Sequence, residues 1–132
     1  MKCEGAAKEQ RINSEFQLSD VEGLNFKGNP FDTIVSSGTL CAYNDPVYVL
    51  NEMNKWCKWY GQILLMEHGL YSSAPLAWLQ KKVDSLNVKM IGCHLDRDIF
   101  DIIRSSKIEI DKCERVLGGY LYLIWAKPNK YV

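Results

Sequence analysis

Residues 31–45 read Phe-Asp-Thr-Ile-Val-Ser-Ser-Gly-Thr-Leu-Cys-Ala-Tyr-Asn-Asp, and their reading decides the fold. Ile34 and Val35 form a short apolar run that predicts a buried strand over Phe31–Ser37. The run is near-continuous rather than alternating, which suits a strand covered on both faces. Ser36, Ser37 and Gly38 then leave room for a ligand beside the backbone. Asp45-Pro46 predicts a helix start, with Asp45 as the cap and proline in the first turn, where its missing N–H is tolerated. A buried strand that ends at small residues, then a loop, then a helix, is how open α/β sheets build a ligand crevice.

On the C-terminal side, Val49, Leu50, Met53, Trp56 and Cys57 share one face of that helix, and Gly61 follows as its terminator. Ile63-Leu64-Leu65-Met66 predicts a second strand over Gln62–Glu67. Strand, helix and strand at this spacing predict a right-handed crossover with two parallel neighbours. Ser73-Ala74-Pro75 starts another helix with Leu76, Leu79 and Val83 on one face and Trp78 nearby. Residues 87–96 read as an irregular connection containing Gly92-Cys93-His94. Asp96 or Asp98 caps a helix striped by Ile99, Phe100, Ile102 and Ile103. Residues 107–116 and 120–126, joined through Leu117-Gly118-Gly119, predict an antiparallel hairpin.

On the N-terminal side, residues 1–14 are polar and read as a frayed end or the remnant of a helix. Phe16–Leu18 is a short extended segment, and Asp20-Val21-Glu22-Gly23 turns the chain. The 132 residues read as one partial domain, and their 47% hydrophobic and 24% charged content is ordinary for a globular chain. Sixteen basic and sixteen acidic residues cancel, which argues against a generic nucleic-acid or anionic-membrane surface. No apolar run reaches the roughly 18–20 residues of a membrane span. The five cysteines are scattered and odd in number, as expected of reduced thiols in an intracellular compartment. That compartment is cytoplasmic, or mitochondrial where a longer parent chain carries targeting. With two histidines and no ligand spacing, no metal site is expected.

A resemblance follows from these segments. Ser19-Asp20-Val21-Glu22-Gly23-Leu24-Asn25-Phe26 resembles the acidic loop of class I S-adenosylmethionine-dependent methyltransferases. Phe31–Ser37 is similar to their Phe-Asp-x-Val fourth strand, and Asp45-Pro46 with Leu50, Glu52 and Met53 to the helix after it. Residues 61–69, Gly-Gln-Ile-Leu-Leu-Met-Glu-His-Gly, resemble the fifth strand. Leu40-Cys41, Glu67-His68-Gly69 and the run Gly92-Cys93-His94-Leu95-Asp96-Arg97-Asp98 resemble the branch of the Oms1-like and methyltransferase-like 7 proteins. The resemblance spans about Glu15 to Pro128.

It implies an α/β fold: the C-terminal portion of a Rossmann-like methyltransferase sheet, finished by an antiparallel hairpin. The family orders its strands 3-2-1-4-5-7-6. Its first two strands and its Gly-x-Gly-x-Gly turn have no counterpart in these 132 residues. The resemblance implies S-adenosylmethionine as cofactor, with Asp20 and Val21 at the adenine and Ser36, Ser37 and Gly38 along the methionine part. Residues 67–69 would face an acceptor that the sequence does not identify. Glu67 and His68 are the candidates for acid–base work, against a purely structural role; Asp20 reads equally as a turn residue bonded to its own backbone. His94 reads as loop packing and Cys41 as a small buried apolar residue. Two functions stand open. One is a methyltransferase whose isolated chain here is incomplete. The other is a non-catalytic, methyltransferase-like binding protein whose sheet a partner completes along residues 33–37.

Overall fold

A computed structural model describes residues 2–68, 73–91 and 98–131. Its elements are α1 (Lys2–Glu9), β1 (Phe31–Ser37), α2 (Pro46–Trp56), β2 (Cys57–His68), α3 (Ala74–Ile91), α4 (Ile99–Arg104), β3 (Glu109–Val116) and β4 (Leu121–Lys127). A single 3₁₀ turn, Val21–Gly23, precedes β1. The sheet order is β1-β2-β4-β3, with β1 and β2 parallel and β4 antiparallel to both of its neighbours. In the family's numbering this is 4-5-7-6, the order the resemblance implies.

Side-chain alternation divides the sheet into two faces. Ile63, Leu65 and Glu67 of β2 lie opposite Ala126, Ile124 and Tyr122 of β4, and Ile34 and Ser36 of β1 pair with Ile63 and Leu65. This face meets Val49, Leu50, Met53 and Trp56 of α2 and Ile99 and Ile103 of α4, forming the core. Each such aliphatic side chain, fully buried, stabilises the fold by about 1.5–3 kcal/mol. On the other face Val35, Leu64, Met66, Leu123 and Trp125 line an open apolar groove, with Leu64, Leu123 and Trp125 half-buried. Val35 is 69% and Met66 44% exposed. The strand expected to be covered on both faces is therefore covered on one.

Four other expectations change. Phe16–Leu18 joins no strand and those residues are exposed, since a strand needs a hydrogen-bonded neighbour. Helix α2 ends at Trp56 with Cys57 as its cap, so Gly61 is not its terminator. Instead β2 begins at Cys57, and Gly61 lies where its register against β1 slips between Phe31 and Thr33. A Cβ built on Gly61 would sit 2.6 Å from Cys57 Sγ, 2.7 Å from the Asp32 carbonyl and 2.9 Å from the Lys58 carbonyl. The bare backbone is what allows this irregularity to close. Helix α3 runs on through residues 87–91, where the sequence predicts an irregular connection. The run from Gly92 to Arg97, with Cys93, His94 and the alternative cap Asp96, lies outside the described residues, as does Gly69.

Asp98 caps α4, accepting from the amides of Phe100 and Asp101 at 3.0 and 3.2 Å. In β3 the apolar positions Ile110 and Cys113 are three apart, which a regular strand would put on opposite faces. A bulge between Ile110 and Lys112 sets both opposite the core-facing Ala126 and Ile124. The hairpin turns through Leu117, Gly118 and Gly119, all at positive φ. Beyond β4, the Asn54 side chain exchanges two hydrogen bonds with the Asn129 backbone, at 3.0 and 2.7 Å, tying the chain's end to α2.

Gly61→Ala is expected to destabilise the fold by about 1–3 kcal/mol, because backbone and not only a flexible side chain blocks the methyl group. Gly5→Ala, in open space on α1, is the control and should cost nothing. Urea midpoints compare the two; equal midpoints would show that the strand relaxes around the added atom.

Candidate functional site

The carboxyl ends of β1 and β2 meet in a small polar cluster. Glu67 is 1% exposed and projects to the core face. Its Oε1 accepts from the Ser36 hydroxyl at 3.1 Å and its Oε2 from the Leu40 amide at 3.3 Å. The Ser36 hydroxyl also lies 2.7 Å from the Thr39 hydroxyl. Gly38, at φ +66, donates its amide to the Met66 carbonyl at 2.8 Å, a backbone geometry that favours glycine. Ser36 and Leu40 are thus held by a carboxylate from the neighbouring strand, and Gly38 between them by that strand's backbone. Burial raises the Glu67 pKa above the ordinary carboxylate value, opposed by the bonds from Leu40, Ser36 and Thr39.

His68, one residue on, faces the other way. Its ring stacks on Tyr120 with centroids 5.4 Å apart and planes 12° from parallel. Burial lowers its pKa and favours the neutral ring. Strand alternation sends the two acid–base candidates to opposite faces, so the structure does not bring them together.

Asp20 caps the 3₁₀ turn: its Oδ1 accepts from the Glu22 amide at 2.9 Å, the turn bond that its position suggested. Val21 packs against the edge of the core. Glu22 then reaches across to the segment before α2. Its Oε1 accepts from the Asn44 backbone amide at 2.9 Å and its Oε2 from the Asp45 amide at 3.1 Å. This clamp joins the acidic loop to the exit loop of β1, and sequence reasoning passed over it. The signal was present, since the loop motif has a glutamate at this position, but its partners lie more than twenty residues away. Among the described residues no group of three His, Cys, Asp or Glu side chains could hold a metal ion.

Parallel strands ending in a polar loop, with an acidic turn clamped beside it, define a Rossmann-like α/β domain with its ligand edge at the strands' carboxyl ends. The chain belongs to the methyltransferase domain family, whose model matches residues 2–108. It is 31% identical over 100 residues to the mitochondrial methyltransferase OMS1 of Saccharomyces cerevisiae, a match covering 74% of this chain and 21% of that protein. It is 25% identical over 108 residues to a phosphatidylethanolamine N-methyltransferase of Cereibacter sphaeroides, covering 82% of this chain and 53% of the relative. The chain thus spans between about a fifth and about half of these relatives. The fold is similar to that of the PH0226 protein from Pyrococcus horikoshii OT3, with a TM-score of 0.72 at 18% identity, over 97% of this chain and 66% of that one.

Two pH effects follow. The raised Glu67 pKa means that the folded state holds its proton more tightly, so this contribution is full below about pH 4.5 and is lost as pH rises through the folded value. The lowered His68 pKa acts oppositely: its contribution is present above about pH 6.5 and is lost as pH falls. Urea melts against pH should flatten on the Glu67 limb in Glu67→Gln and keep the His68 limb. Glu67→Ala, which leaves the Leu40 amide and Ser36 hydroxyl without their acceptor, should cost about 2–4 kcal/mol. A Glu67→Gln profile that overlays the parent's would remove Glu67 as the source.

Proposed function

We propose that this chain contributes the adenine-side and methionine-side walls of an S-adenosylmethionine site in a methyltransferase. Asp20 and Val21 take the adenine, and Ser36, Ser37 and Gly38 lie along the methionine part. The observation that carries the reading is the Glu22 clamp, which fixes the Asp20 turn against the loop that Ser36–Gly38 begins. The residues fit such a ligand. Asp20 is exposed, and its carboxylate has acceptor capacity beyond the bond from Glu22. Gly38 presents bare backbone with open space where a side chain would stand.

Bound there, the cofactor would supply an electrophilic methyl group on its sulfonium. The chain's own part is to position: methyl transfer gains most from proximity and in-line orientation, so a dedicated base is not required. Glu67 is a positioning residue that holds Ser36 and Leu40, and His68 stands away from it on the open face. The acceptor is a matter of the segments after β2, and fold alone does not name it.

A second reading is favoured by the edge of the sheet. Among the described residues β1 is an edge strand, apolar and beside an open face, and such edges recruit further strands. In this reading a protein partner completes the sheet along residues 33–37 and the chain acts through binding.

Nuclear magnetic resonance titration of the isotope-labelled chain with S-adenosylmethionine separates the two. Amides of Asp20–Gly23 and Ser36–Leu40 should shift together, and Asp20→Ala should weaken the response at both. With no Gly-x-Gly-x-Gly turn in the 132 residues, the affinity of this chain should be poorer than about 100 μM. Shifts confined to the open sheet face, or none at millimolar ligand, would favour the binding-protein reading.

A further inference from the structure

Helix α3 carries its apolar stripe outward. Leu76, Leu79, Val83, Leu86 and Met90 recur at alternating spacings of three and four, so they share one side of the helix. All five are exposed, from 39% at Val83 to 73% at Met90. The side turned to the protein is instead Ala77, Gln80, Asp84 and Val88, with Gln80 buried and the others half-buried. An amphipathic helix in a globular domain normally does the reverse.

Its charges decide what could cover the stripe. One flank carries the exposed lysines Lys82 and Lys89, with Lys81 further round, and the helix's only acid, Asp84, lies on the packed side. Trp78 stands exposed on the lysine flank, with Lys82 Nζ 5.0 Å from its ring centre. The other flank carries the buried Gln80 and no charged residue, so a partner would meet cationic groups along one side of the stripe only. An apolar sector with lysines and a tryptophan at its border matches a bilayer interface, where the rings and the lysine stems sit at headgroup level.

We propose that α3 is an interfacial helix that docks the chain on an anionic lipid surface, with Leu76, Leu79, Val83, Leu86 and Met90 entering the headgroup–acyl boundary. Lys82 and Lys89 pair with lipid phosphates and carboxylates. The helix lies along the membrane and does not cross it; among the described residues no helix is long and apolar enough to do so. The surface is formed without the cofactor, so its test is separate from that of methyl transfer.

Co-sedimentation of the 132-residue chain with vesicles tests the assignment. Vesicles of phosphatidylcholine with phosphatidylserine should bind it, and phosphatidylcholine alone should bind it far less. Leu79→Glu with Val83→Glu should reduce binding at least about ten-fold, given the apolar area withdrawn. Lys82→Gln with Lys89→Gln should keep the fold and reduce binding to anionic vesicles by about five-fold for each lysine. Circular dichroism confirms folding of each variant, and Val35→Glu on the open sheet face should bind as the parent does. Failure of the parent chain to bind would overturn the proposal, as would binding that only Val35→Glu removes. A concentration-dependent dimer that Leu79→Glu with Val83→Glu abolishes, seen by light scattering without vesicle binding, would make the stripe a helix–helix seam instead.

Discussion

The parallel pairing of β1 with β2 puts a carboxylate beneath a loop, and much else depends on that one contact. Glu67 cannot reach water, so its oxygens must be satisfied from within, and the donors come from Ser36 and Leu40. Those donors belong to the segment that leaves β1, so the segment is drawn onto the end of β2 rather than left to solvent. Gly38 completes the arrangement by bonding Met66 across the same strand ends. A residue that reads in sequence as a candidate acid is in space the peg on which the exit loop hangs. Proton exchange with a ligand would break the bonds that hold the loop, which is why the geometry favours positioning over acid–base work.

The sheet has one furnished side and one bare side, and both are apolar. Leu64, Met66, Leu123 and Trp125 would suit an interior, yet α2 and α4 both lie on the opposite face. A second layer over the open groove, from further chain or from a partner, would bury these residues and cover the β1 edge together. Lys112, whose ammonium stands 4.7 Å from the centre of the Trp125 ring, gives this face a partial polar cover.

Much of the fold was legible because its elements carry strong local signals. The Asp45-Pro46 start, the apolar stripe of α2 and the Gly-Gly hairpin each specify their own geometry. The order of the strands came from motif resemblance rather than periodicity, since nothing local says that β4 lies between β2 and β3. The errors share a cause. Phe16–Leu18 has strand-like residues but strand structure needs a neighbour, and Gly61 has terminator chemistry but sits in a bulge set by packing against Asp32. For the candidate site, the motif points to Asp20 and Ser36–Gly38, while the Glu22 clamp and the Leu40 amide bond escape a sequence reading, because those contacts exist only across distances the sequence does not display.

The Glu22 clamp also has a thermodynamic meaning. A surface turn usually opens independently of the body, at little free-energy cost. Here the Val21–Gly23 turn is bonded to the amides of Asn44 and of Asp45, the residue that caps α2, and α2 is the helix on which the core is built. Opening the turn therefore frees the backbone that positions the cap of the central helix. A ligand that holds Asp20 would be linked through this connection to the cooperative unit, so its binding free energy would appear in the melting of the whole domain and not only in the local protection of one loop.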